Sequence, residues 1–102
     1  MFDDEDHKRA IKDFIAYLRT ITTQKNIAFF SDVSREYVRS LGKGGGIPTV
    51  KVFFSIIEAA GLSVTEGTLK YMEFLQKQHT AIAAEKALGQ NYISKTKTKP
   101  QN

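Results

Sequence analysis

A chain of 102 residues, 41% of them hydrophobic, is long enough for one domain with its own core, and its apolar content excludes wholesale disorder. The absence of cysteine, with only His7 and His79 as imidazoles, excludes disulfides and thiolate metal sites and implies no cofactor. No apolar run approaches the roughly 18 residues of a membrane span, and the acidic start lacks the apolar segment of a signal peptide; no membrane partner and a cytoplasmic location are expected.

The formal charge of +4 is unevenly spread. Asp3, Asp4, Glu5 and Asp6 form an acidic block, and without it the remainder carries +8. An excess of that size suits a polyanionic partner, although a merely soluble basic protein has the same balance.

In chain order, Ile11, Phe14, Ile15 and Leu18 recur at spacings of three and four, which predicts an amphipathic helix from Glu5 to about Thr20. The acidic block then reads as a solvated helix start, favoured by the positive end of the helix dipole. Thr23 is a good N-cap for a short helix from Gln24 to Phe30, with Ile27 and Ala28 facing inward. Asp32 suits a tight turn, since aspartate tolerates left-handed backbone. Val33 plugs that turn into the core. Ser34 caps a second short helix, from about Arg35 to Gly42, with Val38 and Leu41 buried.

Gly42, Gly44, Gly45 and Gly46 then make a loop that bends easily, and Pro48 keeps Ile47 extended. Thr49 caps an apolar helix whose Val50, Phe53, Phe54, Ile56 and Ile57 supply core, and Gly61 ends it as a C′ glycine. A last helix is expected from Thr65 through Leu88, with Met72, Leu75, His79 and Ile82 along one side. The domain boundaries that follow are 5–64 for a helix-turn-helix domain, 65–93 for a C-terminal helix and 94–102 for a basic tail. That tail, with Lys95, Lys97 and Lys99 and no apolar residue after Ile93, is expected to be disordered.

The stretch Thr22–Ser63, about 40% of the chain, resembles the lambda-repressor-like, or Xre/Cro-type, helix-turn-helix proteins. The likeness rests on Thr23-Gln24, Ile27-Ala28, Val33-Ser34, Tyr37-Val38, Leu41, Gly44, Pro48, Phe53, Ile56, Glu58-Ala59 and Gly61 at matching spacing. It implies an all-α, compact bundle of about five helices, with an additional C-terminal helix beyond the matched stretch. Its third helix would enter the DNA major groove, where each base pair presents a distinct donor and acceptor pattern.

On that resemblance, Ser34, Arg35, Glu36, Arg39 and Ser40 are the base-reading candidates. Arg35 leads them, because a guanidinium binds guanine O6 and N7 in a bidentate way. Glu36 either accepts from a cytosine amino group or orients Arg35 or Arg39. Gln24 resembles the family glutamine that holds a phosphate and braces the recognition helix. Tyr37, Lys43, Thr49 and Lys51 complete the backbone candidates, with packing the competing role for Tyr37. Departures from the pattern gather just before the recognition helix. Asp32 replaces a usual glycine, Ser31 replaces an apolar residue, and Phe29 and Phe30 stand at polar positions. Either one phenylalanine swings inward or both form an exposed patch.

The resemblance implies a small bacterial or phage transcriptional regulator, most simply a repressor, bound as a homodimer to a two-fold DNA operator. Met72, Leu75 and Ile82 are the dimer candidates, with packing back on the bundle as the competing role. An antitoxin whose C-terminal segment binds a protein toxin is one alternative. A protein-interaction module that keeps the fold without DNA binding is another. No nucleophile–base set or paired-carboxylate cleft points to an enzyme.

Overall fold

The computed structural model describes residues 1–98, with side chains through residue 89. It is all-α, with five helices: α1 (Asp4–Leu18), α2 (Gln24–Ser31), α3 (Arg35–Leu41), α4 (Val50–Ala59) and α5 (Val64–Thr98). The fifth bundle helix and the expected additional C-terminal helix are one continuous element. It runs past Leu88 into the first residues of the expected tail. Residues 99–102 lie outside those described.

Helix starts follow from their caps. Asp3 accepts from the Asp6 amide while the Asp6 carboxylate accepts from the Asp3 amide, a reciprocal capping box that satisfies two orphan donors. The Thr23, Ser34 and Thr49 hydroxyls accept from the amides of Asn26, Tyr37 and Val52 at 3.0, 3.0 and 3.3 Å, as their sequence positions imply. Ser63 and Glu66 form a second capping box at the head of α5. At the end of α4, Gly61 has φ +87°. Its amide donates to Glu58 O and that of Leu62 to Ile57 O, the paired bonds of a Schellman ending.

The core gathers one face from each helix: Ile11, Phe14, Ile15 and Leu18 of α1, Ile27 and Ala28 of α2, Val38 and Leu41 of α3, Ile56 and Ile57 of α4, Tyr71 and Leu75 of α5. Gly67 lets α5 cross α4 closely, since a Cβ there would lie 2.4–2.8 Å from the Ile57 side chain. The buried stripe of α5 runs through Tyr71, Leu75 and Ile82, whereas Met72 is 54% exposed. The expected stripe is therefore corrected by one position at its start. On α4, Phe53 is half-buried and packs on Phe14 and Tyr71. Val50, 67% exposed, and Phe54 do not join the core as expected: α4 packs one side against α2 and α5, and these two side chains lie off that side.

The α1–α5 seam holds what the sequence pattern did not reveal. Asp6 is only 2% exposed, which corrects its reading as part of a solvated block. Its carboxylate accepts from His79 Nδ1 at 2.9 Å. His7 Nδ1 and the Tyr71 hydroxyl share a 2.6 Å hydrogen bond, and the Phe2 ring packs edge-on against both histidines. Farther along, the Arg9 guanidinium donates two bonds to Glu85 and one to Glu5. Gln78 donates to Asp13 at 2.7 Å.

Candidate nucleic-acid interface

Helices α2 and α3 are joined by Asp32, which adopts the left-handed conformation at φ 59°, ψ 40°. Left-handed geometry reverses the chain in one residue, and aspartate is among the few non-glycine residues that take it without large strain. The turn closes with the Val33 amide donating to Ala28 O at 3.2 Å, and Val33 packs against the core. Ser31, at the usual apolar position, is buried with its hydroxyl donating to the Ile27 carbonyl. Because the serine satisfies its own hydroxyl, no phenylalanine is drawn inward. Phe29 and Phe30 stay 75% and 66% exposed, edge to face at 5.0 Å.

Beyond the turn, α3 buries Val38 and Leu41 and leaves Ser34, Arg35, Glu36, Arg39 and Ser40 exposed. Glu36 and Arg39 are ion-paired at 3.0 Å. The acid thus orients Arg39 rather than Arg35. Such an exposed pair is weak and easily exchanged for another partner. Among the described residues, no ion pair engages Arg35. Gln24 Nε2 donates to the Arg35 carbonyl at 3.4 Å, a long bond that ties the start of α2 to the start of α3. Tyr37 is half-buried and packed on the core, in keeping with the packing role.

Ser40 is tied to the loop that follows. Its carbonyl accepts the Lys43 and Gly45 amides at 3.0 and 2.8 Å, and a Cβ on Gly45 would fall 2.2 Å from its hydroxyl. Lys43, Thr49 and Lys51 are exposed. Between Thr22 and Ser63 the cations Lys25, Arg35, Arg39, Lys43 and Lys51 outnumber the acids Asp32, Glu36 and Glu58. Lys43 and Gly44 also line a groove with Lys8, Arg9 and Lys12 of α1, a juxtaposition that helix periodicity cannot show. Of the dimer candidates, Leu75 and Ile82 are instead buried within the single chain, and Met72 remains exposed. Among the described residues no cluster of three or more His, Cys, Asp or Glu could hold a metal. No single helix there is long and apolar enough to cross a membrane.

The fold is that of a small all-helical helix-turn-helix bundle, α2 and α3 forming the bihelical unit. A solved structure similar to it is that of the clp gene regulator ClgR from Corynebacterium glutamicum, with a TM-score of 0.62, 22% sequence identity, and coverage of 92% of this chain and 95% of that one. At that identity the likeness concerns the fold. No protein-family model matches the chain, and no curated protein sequence matches it either.

Proposed function

We propose that the protein is a sequence-specific double-stranded DNA-binding transcriptional regulator, most simply a repressor, that reads the major groove with α3. The observation that carries this reading is the exposed row Ser34, Arg35, Glu36 and Arg39 on one short helix, braced at its start by Gln24. Its support is threefold: the resemblance over Thr22–Ser63, the cationic surroundings of α3, and the likeness in fold to ClgR, itself a clp gene regulator. Arg35 is the principal base reader. Gln24, Lys43, Thr49 and Lys51 contact phosphates, where helix N-termini add free amide donors. A homodimer would supply the second half-site. Its face includes Met72 and neighbouring Leu69, both exposed on α5, in place of the buried Leu75 and Ile82.

Binding to DNA upstream of its own gene, measured across a salt series, tests the proposal. Specific binding with a steep salt dependence is expected for the native protein. Arg35→Ala should weaken binding to the preferred sequence by about 1–3 kcal/mol and relax its specificity. Equal, weak binding to all sequences by both proteins would sink the proposal. A second reading, a protein-interaction module that keeps the fold without DNA binding, draws on the exposed Phe29–Phe30 pair. It predicts that the native protein shows no sequence-specific DNA binding and that Phe29→Ser/Phe30→Ser abolishes binding of its protein partner.

A further inference from the structure

The groove between α1 and the α3–α4 loop measures about 400 Å³, within the range of small-ligand sites. Its lining sets Lys8, Arg9 and Lys12 from α1 and Lys43 from the loop against two acids of α1, Glu5 and Asp13. Lys8 and Lys12 are one helical turn apart on the same face, so their charges repel unless a counter-charge lies between them and the opposite wall. Both of these acids are engaged within the groove lining itself. Glu5 and Glu85 are both taken by Arg9, and Asp13 accepts from Gln78. Among the described residues Lys8, Lys12 and Lys43 form no ion pair, so their ammonium groups are available to an anion. Three ammonium groups around a concave, solvent-filled space are the chemistry of oxyanion capture, lysine serving as a point charge for phosphate.

We infer that this groove is a phosphate-binding site, taking a ligand with two or more phosphate groups between Lys8 and Lys12 of α1 and Lys43 of the loop. The phosphates come either from a free polyphosphorylated compound or from DNA backbone flanking the recognition helix. The second source rests on the proposed function, and the first does not.

The test titrates DNA-free protein with inorganic triphosphate, following backbone amide shifts at Lys43 and Gly44. Lys8→Gln/Lys12→Gln should weaken binding tenfold or more. Lys77→Gln/Lys86→Gln, which removes the same charge from exposed positions of α5 outside the groove, should change it less than twofold. In a parallel arm, the salt dependence of DNA binding is measured for both double variants. Loss of triphosphate binding with unchanged DNA binding assigns the groove to a free ligand. A salt slope shallower by about two for the groove variant alone assigns it to DNA phosphates. If the protein binds no DNA, the proposed function fails and the triphosphate arm alone decides. Equal weakening by both variants means diffuse attraction and overturns the site. Absence of any groove-specific effect in either arm does the same.

Discussion

Asp32 carries the reversal between α2 and α3 at φ 59°, where a non-glycine residue is strained and a β-branched one strongly so. Asp32→Val should lower stability by about 1–2 kcal/mol, read from the urea midpoint, whereas Asp32→Gly should be neutral or slightly stabilising. Gly45 is constrained differently: any side chain would strike the Ser40 carbonyl and hydroxyl. The turn was legible in the sequence because a single residue type with known backbone tolerance occupies it. The exposure of Phe29 and Phe30 was not. It depends on whether Ser31 can be buried, and that is decided by one side-chain bond to Ile27 O.

The spans of α1 to α4 and the caps Thr23, Ser34 and Thr49 were legible, because capping residues and apolar spacing act within a few residues of one another, whereas the capping boxes of α1 and α5 and the run of α5 to Thr98 were not. The seam between α1 and α5 was not, since its polar partners carry no periodicity and lie far apart in the chain. Two consequences belong to this scale. Gly67→Ala adds about 1 kcal/mol of helix propensity, but its Cβ would collide with the fully buried Ile57. Overpacking of about 1–3 kcal/mol should win, and a raised melting temperature would show the crossing to be looser than described. The Asp3 amide, and after it His79, hold the Asp6 carboxyl below its usual value of 3.8 against the opposing effect of burial. A depressed carboxylate stabilises the fold above the unfolded-state value, and that contribution is lost as pH falls through the folded-state value. Asp6→Asn should therefore be less stable than the native protein at pH 7. The gap in urea midpoint should close below about pH 4.

At the scale of the whole molecule, the bundle fixes what remains available to a second copy. Leu75 and Ile82 belong to the core side of α5, while Leu69 and Met72 do not. On the proposed homodimer, Met72→Glu should shift the sedimentation profile toward monomer and lower apparent stability only by the lost association. Leu75→Ala should instead lower stability by about 2–5 kcal/mol, as core truncations do. The exposed row on α3 was legible as a set of residues. The groove joining Lys43 to α1 was not, since only the assembled bundle brings them together.

The seam also has a consequence in time. His7 meets Tyr71, Asp6 meets His79 and Arg9 meets Glu85, so the first helix finds its partner only when the last is made. A ribosome releases the α2–α3 unit well before α5 has emerged, and until then α1 has no complete surface to pack on. Folding is therefore expected to wait for nearly the whole chain. Nascent chains arrested at Gly61 should be cut by protease within α1, and chains arrested far enough downstream to expose Glu85 should resist.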